Sequence, residues 1–364
     1  MRFLDLFAGI GGFRLGMDYA GHECVGFCEI DKFARASYKA IHDTEGEVEM
    51  HDITTVSDEF VRGLGHIDII CGGFPCQAFS IAGKRKGFED TRGTLFFEIA
   101  RFASILRPRY LFLENVKGLL NHEGGATFET ILRALDELGY DVEWDCINSA
   151  AYVPQNRERV FIIGHLRGER VRKVFPFERD DQSLVELQRQ QSSVNTITAR
   201  YGEAAGVGSY VIESKQQKQV AIPVLTPDRI EKRQNGRRFK EDGEEMFTLT
   251  AQDRHGILVR EATTKGYATA LPGDSVNISH PNSETRRGRV GKGIANTLLT
   301  GEEQAVVTEN YRIRKLTPRE CWRLQGFPDW AFDRAKEVNS DSQLYKQAGN
   351  SVTVPVIADI AKRL

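Results

Sequence analysis

A regular alternation of short apolar segments and helical segments in the first 165 residues constrains the fold of this chain most. The apolar segments have the length and composition of strands and cover residues 2–7, 24–28, 67–71, 110–113 and 159–163. Segments with helical periodicity lie between them, at residues 13–20, 31–41, 94–106 and 128–138. This order predicts an α/β fold with a doubly wound, mostly parallel sheet and helices on both faces. Ligands bind such sheets at the carboxyl ends of the strands.

The texture of the chain changes after residue 176. Residues 180–310 are polar, rich in Gln, Arg, Thr and Gly, and poor in helical periodicity, which predicts a second, smaller, mainly β domain. Helical character returns at residues 318–324, and the apolar segment 352–364 is expected to pack back on the sheet.

A faint repeat occurs inside this polar region. The tetrapeptides TITA, TLTA and TLLT begin at residues 196, 248 and 297. Each reads as a strand followed by a polar loop and a second strand, and the second strands are expected at residues 210–212, 257–259 and 305–307. The pattern indicates either common hairpin chemistry or a domain that presents several polar loops on one side.

The bulk composition is that of a globular protein. A length of 364 residues allows one large core and favours about two domains. We expect no membrane span, because no long apolar run occurs, and no signal peptide, so the expected location is cytoplasmic. Six scattered cysteines lack the paired spacing of structural zinc, so we expect no metal and reduced thiols.

The charge distribution bears on nucleic-acid binding. A net charge of −2 argues weakly against a phosphate-rich partner. Residues 229–240, 285–292 and 312–323 are nevertheless locally basic. These runs are either solvated surface or a basic face on the second domain.

A glycine-rich turn follows the first predicted strand. The sequence FAGIGGF at residues 7–13 opens the first helix, so its backbone can approach a ligand closely. Glu29 lies 20 residues after Gly9, at the end of the second strand, where a carboxylate typically binds ribose hydroxyls. The pattern favours a nucleoside site, while a dinucleotide such as NAD or an ordinary tight turn stays open.

Cys76 stands out among the six cysteines. It follows the strand at residues 67–71 and comes directly after Pro75, which restricts the backbone. Most cysteines are inert packing residues. The loop at residues 80–93, however, carries four basic residues, and positive neighbours favour the thiolate. A basic, glycine-hinged loop could also close over an anionic substrate.

Two further polar clusters lie at strand ends. Glu114 directly follows the strand at residues 110–113 and is either a ligand-facing carboxylate or a helix cap. Arg157 and Arg159, in QNRER at residues 155–159, stand at the start of the next strand and suit an oxygen-rich target. Four predicted strands therefore end in a candidate group, namely the glycine turn, Glu29, Cys76 and Glu114. This convergence predicts one shared site.

These residues resemble the bacterial DNA cytosine-5 methyltransferases of restriction-modification or phage type, over nearly the whole chain and in the family's motif order. The matching segments are DLFAGIGGFRLG at 5–16, GFPCQAFS at 73–80, ENV at 114–116, QNRER at 155–159, RKLTPRECWRLQGFP at 314–328 and QAGNSV at 347–352.

The resemblance implies S-adenosyl-L-methionine as cofactor. The glycine turn would cradle its methionine part, Glu29 its ribose and Asp52 its adenine amino group, with Ile30 and Ile53 against the adenine faces; the family often has an aromatic residue in place of Ile30. The implied cofactor-binding residues are Phe7, Ala8, Gly9, Ile10, Gly11, Gly12, Phe13, Glu29, Ile30, Asp52, Ile53, Phe74, Pro75, Leu95, Asn350, Ser351 and Val352.

The resemblance also implies a discontinuous catalytic domain, because the C-terminal segment would fold back beside the first strand. We expect residues 1–175 and 335–364 to form this domain and residues 176–334 to form a target-recognition domain.

The implied chemistry is covalent catalysis. Cys76 would add to C6 of a cytosine flipped out of the duplex, which makes C5 able to attack the cofactor methyl group. Glu114 would hydrogen-bond or protonate N3, which requires a raised pKa. Arg157 and Arg159 would hold the base oxygen and a nearby phosphate. The base that removes the C5 proton is not identified, and a water molecule is one candidate.

Double-stranded DNA is the expected partner. The loop at residues 80–93 is the candidate lid, and segments 283–293 and 297–304 are the candidate base-reading segments by resemblance. The residues expected to contact DNA are Ser80, Lys84, Arg92, Arg286, Arg287, Arg289, Thr300 and Gly301. We expect a monomer, and a restriction endonuclease, if one exists, would need no direct contact.

Three alternatives remain. A transfer RNA cytosine methyltransferase would need little sequence recognition, and the length of residues 180–310 favours DNA instead. An inactive DNA-binding regulator is disfavoured by the intact Cys76, Glu114 and Arg159. A NAD-dependent oxidoreductase would leave the Pro75–Cys76 pair unexplained.

Overall fold

The computed structural model describes residues 1–75, 95–168, 173–175, 221–225, 255–280, 283, 285–301, 303–309 and 313–364, with backbone alone for 221–225 and 255–256. Cys76, the candidate lid and the first copy of the faint repeat lie outside these residues.

A seven-stranded sheet forms the centre of the molecule, with the strand order β3-β2-β1-β4-β5-β7-β6. Its strands are β1 (Arg2–Leu6), β2 (Glu23–Cys28), β3 (Val48–Met50), β4 (Ile69–Gly73), β5 (Tyr110–Val116), β6 (Tyr140–Asn148) and β7 (Glu158–Leu166). The first five are parallel, whereas β7 runs antiparallel to both β5 and β6. The predicted α/β fold with a mostly parallel sheet is confirmed.

Helices cover the sheet, and some of them begin at a residue whose side chain caps the first turn. The first five are α1 (Gly12–Tyr19), α2 (Lys32–Ile41), α3 (Asp58–Gly63), α4 (Leu95–Leu106) and α5 (Ala126–Glu137). The side chain of Asp31 accepts the N–H groups of Phe33 and Ala34, and therefore starts α2 at the end of β2.

The C-terminal segment packs against α1, in agreement with the expected fold-back. Its last helix is Val354–Ala361, and Ile357 shares a core cluster with Phe3 of β1. A methyl group on Gly16 would lie 2.6 Å from Ile357 Cβ, and one on Gly12 would lie 2.8 Å from Val352 Cγ2. Glycine at these two positions therefore allows the C-terminal segment to approach α1 closely.

The described part of the second region is mainly β, as expected. Three strands form one antiparallel sheet, namely β8 (Ala221–Leu225), β9 (His255–Arg260) and β10 (Tyr267–Ala270). Four more form a second, namely β11 (Ser275–Asn277), β12 (Val290–Gly291), β13 (Gln304–Val307) and β14 (Ile313–Lys315). The strands predicted at residues 257–259 and 305–307 are present, whereas residues 297–300 form no strand.

Three helices follow these sheets, α6 (Pro318–Leu324), α7 (Asp329–Val338) and α8 (Asp341–Asn350), and the last helix is α9. Thr317 and Glu320 form a reciprocal capping box at the start of α6. Trp322 is fully buried in a core cluster that also contains Leu15 of α1 and Leu298. The expected domain limit at residues 334–335 falls within α7 and stays a prediction. No described helix is long and apolar enough to span a membrane.

Candidate active site

The glycine-rich turn after β1 is tied to the end of β2 by one carboxylate. The N–H of Gly9 donates to Glu29 Oε2 at 2.8 Å, and the N–H of Asp31 donates to Glu29 Oε1 at 2.8 Å. Phe7, Gly9 and Gly11 all have positive φ angles, so the turn needs the freedom of glycine at two of its positions. Glu29 therefore joins the ends of β1 and β2, which the sequence predicts to lie at the cofactor site.

His42 explains why residue 11 must be glycine. A methyl group on Gly11 would lie 2.0 Å from His42 Nε2. Burial lowers the pKa of His42 to about 3, so the imidazole is neutral under the turn. This contact is not predictable from the sequence, because His42 lies 31 residues away from Gly11.

The residues expected on the adenosine side of the site differ in exposure. The Ile30 side chain is 68% exposed, whereas Ile53 is buried. Arg35 Nη1 donates to the carbonyls of Glu29 and Ile30, both at 2.8 Å, and so holds the turn that presents Ile30. Asp52 accepts the hydroxyl and the N–H of Thr54, and these bonds lower the pKa of Asp52. Both bonds use Oδ1.

The other predicted cofactor residues divide between the site and the core. Ser351 and Val352 lie against Gly12, and Asn350 beside them is exposed. Ile10 and Phe13 are core residues, and the Phe13 ring packs edge-to-face on Phe112. Ala8 is buried beside Phe27 and Tyr38, Phe74 and the half-buried Leu95 join the core cluster of α4, and Pro75 is exposed.

Glu114 and Arg159 form an ion pair at the carboxyl end of β5. Arg159 Nε lies 3.0 Å from Glu114 Oε1, and both side chains are largely buried. Burial raises the pKa of Glu114, against the opposing effect of the Arg159 and Arg157 charges. This is the direction expected from the sequence. Gly73 makes room for the carboxylate, since a methyl group there would lie 2.9 Å from Glu114 Oε2.

Asn115 controls the backbone that leads to Cys76. Its Nδ2 donates to the Phe74 carbonyl at 2.8 Å, and the residue is 2% exposed. Gly73 and Glu114 are register partners in neighbouring parallel strands, and Cys76 follows Gly73 by three residues. The sequence pattern predicts no role for Asn115, because the partner carbonyl lies 41 residues away in the chain.

The five described thiols are poor nucleophiles. Burial raises the pKa of Cys24 and of Cys28 to about 12 and that of Cys71 well above its ordinary value. The pKa of Cys146 is also raised by burial, and Cys321 is buried. Cys76 itself, together with Ser80, Lys84 and Arg92, lies outside the described residues.

Arg157 does not face the site in the manner predicted. The residue is 3% exposed, and its guanidinium donates to the carbonyls of Leu298, Gly349 and Ser351. A contact with the base would require those bonds to break. The structure therefore makes Arg157 a link between segments, because spacing along a strand cannot show which acceptors surround a side chain.

The residues expected to contact DNA also divide. Arg287, Thr300 and Gly301 are exposed and Arg286 is half-buried, as such contacts require. Arg289 is the exception, since it is 1% exposed and donates to three carbonyls, those of Asn277, Ser279 and His280. Its guanidinium shapes that turn and is not available to DNA in this structure.

Gln155 is a buried residue whose role the sequence did not reveal. Its Nε2 donates to the Leu324 carbonyl at 2.8 Å, and its Oε1 accepts the N–H of Leu298 at 3.0 Å. The described residues contain no cluster of His, Cys, Asp and Glu side chains that could hold a metal ion.

Comparison with known proteins places the chain in a family. The family model for C-5 cytosine-specific DNA methylase matches residues 1–364. The orphan methyltransferase M.SPRI of Bacillus phage SPR is 33% identical over 476 aligned residues, which cover 100% of this chain and 97% of the relative. The type II methyltransferase M1.ScrFI of Lactococcus lactis subsp. cremoris is 35% identical over 365 residues, covering 100% of this chain and 77% of the relative.

A solved structure supports the same fold. A proposed DNA modification methyltransferase encoded within an E. coli prophage superposes with a TM-score of 0.57 at 21% identity, covering 100% of this chain and 97% of that chain. The match of the family model along the whole sequence shows that the chain belongs to the C-5 cytosine-specific DNA methylases and is a DNA cytosine-5 methyltransferase.

Proposed function

We propose that the chain uses S-adenosyl-L-methionine to methylate C5 of a cytosine flipped out of duplex DNA, through a covalent bond between Cys76 and C6. The buried ion pair between Glu114 and Arg159 carries this proposal, because Glu114 lies on β5, directly beside the strand β4 that leads to Cys76. It supplies a carboxyl group with a raised pKa and a cation at one point, and the Asn115 bond to the Phe74 carbonyl holds the neighbouring backbone.

The residues at the carboxyl ends of β2 and β3 fit the proposed cofactor. The Glu29 carboxylate, already oriented by two N–H groups, has further lone pairs for ribose hydroxyls. Ile30 offers an exposed apolar surface to an adenine ring, and Asp52 Oδ2 can accept from its amino group. When bound, the cofactor supplies an electrophilic methyl group.

The side chains then act on the base in sequence. The Cys76 sulfur forms a bond to C6, and electron density moves from the ring toward N3. Glu114 donates a hydrogen bond or its proton to N3, and Arg159 donates to the base oxygen while it orients the carboxyl group. Transfer of the methyl group to C5 breaks the bond between that group and the donor sulfur and leaves S-adenosyl-L-homocysteine. Loss of the C5 proton then breaks the bond between the Cys76 sulfur and C6 and restores the free thiolate.

The base must leave the duplex for this chemistry, which costs a few kcal/mol in stacking and pairing. The exposed Arg287, Thr300 and Gly301 supply contacts to the DNA on the side of the small domain. We propose a monomer that acts on double-stranded DNA in the cytoplasm without contact to a restriction endonuclease.

Duplex DNA that carries 5-fluorocytosine at random positions tests the mechanism, because fluorine at C5 cannot leave as a proton and traps the adduct. With labelled S-adenosyl-L-methionine, we expect a covalent protein–DNA adduct from the native chain and from Cys146→Ser, but none from Cys76→Ser. An adduct that persists in Cys76→Ser would refute the assigned nucleophile.

Two further measurements complete the test. Methyl transfer to RNA in the absence of any transfer to DNA would refute DNA as the substrate. Bisulfite sequencing of DNA from an expressing host would identify the recognition sequence.

A further inference from the structure

Arg157 lies between two segments with different expected tasks. The cofactor segment, residues 349–353, contains three of the predicted cofactor-binding residues, and the recognition segment, residues 295–301, contains two of the predicted DNA contacts. We propose that Arg157 is a positioning residue that couples the two, so that cofactor binding orders the recognition segment and DNA binding tightens the cofactor site. This inference rests on the proposed cofactor.

The hydrogen bonds of the guanidinium reach both segments at once. Arg157 Nη1 donates to the Leu298 carbonyl at 3.2 Å, while Nη2 donates to the carbonyls of Gly349 at 3.2 Å and Ser351 at 2.7 Å. The planar fork of arginine fixes the relative positions of these three acceptors. Because Arg157 is 3% exposed, water cannot replace an acceptor that moves away.

The two segments also touch directly. A methyl group on Gly349 would lie 2.3 Å from the Leu299 carbonyl oxygen and 2.7 Å from the Thr300 nitrogen. The neighbours are backbone atoms, which cannot turn aside as a flexible side chain could. A displacement of the cofactor segment is therefore transmitted to Leu299 and Thr300 by contact as well as by hydrogen bonds.

Other groups hold the recognition segment to the start of β7. Gln155 accepts the Leu298 N–H, the Asn156 N–H donates to the Ala295 carbonyl at 2.8 Å, and the Thr297 hydroxyl donates to the Asn156 carbonyl at 2.6 Å. None of these three bonds involves the cofactor segment. Among these side chains, Arg157 is thus the one that joins both segments to the start of β7.

The end of the recognition segment that follows Leu298 lies at the surface. Leu299 is 45% exposed and Thr300 is exposed, whereas Leu298 is buried. A small shift at Ser351 would therefore move Leu299 and Thr300, which are exposed and accessible to DNA. By linkage, the effect of cofactor on DNA affinity must equal the effect of DNA on cofactor affinity.

Hydrogen exchange followed by mass spectrometry tests the coupling without DNA. On adding S-adenosyl-L-homocysteine to the native chain, we expect exchange in peptides that contain residues 295–301 to slow by on the order of 5-fold or more, alongside protection of residues 349–353. Protection confined to residues 349–353 would overturn the inference. Failure of the native chain to bind S-adenosyl-L-homocysteine would instead overturn the proposed cofactor.

Arg157→Lys tests the residue itself, because lysine keeps the charge but cannot bridge the separated carbonyls. We expect the variant to bind S-adenosyl-L-homocysteine in calorimetry but to lose the protection of residues 295–301. Arg334→Lys is the matched control, since Arg334 also donates to a carbonyl of another element, that of Ile41 at 3.0 Å. In Arg334→Lys, S-adenosyl-L-homocysteine should protect residues 295–301 as strongly as it does in the native chain.

Affinity for DNA gives a second readout. With a duplex that contains the recognition sequence found by bisulfite sequencing, S-adenosyl-L-homocysteine should tighten DNA binding on the order of 5-fold or more in the native chain and in Arg334→Lys. In Arg157→Lys, the ratio of the DNA affinities with and without S-adenosyl-L-homocysteine should approach one. A ratio unchanged in a folded Arg157→Lys protein would refute the role of Arg157.

Discussion

Asp5 should make the stability of this protein fall as the pH rises through the neutral range. Asp5 is fully buried near the end of β1, two residues before the glycine-rich turn. Tyr38 Oη lies 3.5 Å from its Oδ2, and Cys71 Sγ lies 3.9 Å from its Oδ1. Burial raises the pKa of Asp5 from 3.8 to about 8, although the nearby Arg14 charge opposes the shift. The folded chain therefore holds a proton at pH 6 that the unfolded chain has released.

The sign and size of the effect follow from this pKa. A group whose pKa is raised on folding stabilises the native state at low pH, and this contribution disappears as the pH rises through the folded value. With pKa values of 3.8 and about 8, the free energy of unfolding should lose about 2 to 3 kcal/mol between pH 6 and pH 9 from Asp5 alone.

Asp5→Asn isolates this contribution, because asparagine is close in shape and does not ionise. Urea unfolding of both proteins at a series of pH values gives the difference in free energy of unfolding. The free energy of unfolding of the variant minus that of the native chain should rise by about 2 to 3 kcal/mol between pH 6 and pH 9. A difference that stays constant across this range would refute the assignment of a buried, protonated Asp5.

Three further perturbations test other parts of the structure. Glu114→Gln should slow methyl transfer by about 10²- to 10⁴-fold without weakening S-adenosyl-L-homocysteine binding in calorimetry, and a loss below tenfold would contradict its role at N3. Gly12→Ala should cost about 1–3 kcal/mol in urea unfolding, because its methyl group meets the C-terminal segment, whereas Gly63→Ala in open space should be neutral or stabilising. Arg287→Gln should reduce the salt dependence of DNA binding by about one unit of slope, whereas Arg289→Gln should lower thermal stability and leave the slope unchanged.

The strands that the sequence predicted are those buried on both faces. Arg2–Leu6 and Tyr110–Val116 are rich in apolar residues and almost fully buried, because neighbours cover them on each side. Tyr140–Asn148 was missed, since it lies at the edge of the sheet, pairs with one neighbour and buries only Tyr140 and Ile147 among its nine residues. The helices at Asp329–Val338 and Asp341–Asn350 were missed for a related reason, because each buries few apolar residues and depends on contacts with other helices.

Sequence by itself determined the class of fold, the family and the order of the motifs, because strand and helix periodicity and the glycine turn are local properties of the chain. It also placed Gly9, Glu29 and Glu114 at strand ends, where a parallel sheet collects ligand-binding groups.

Tertiary structure alone decided what the buried polar side chains do. Arg157, Arg159 and Arg289 are the same residue type in basic stretches, yet one links two segments, one pairs with Glu114 and one closes a turn. The acceptors that distinguish them come from segments up to 194 residues away in the chain. A buried cation must satisfy its donors with whatever acceptors the fold brings to it, and that set is defined only when the chain has folded.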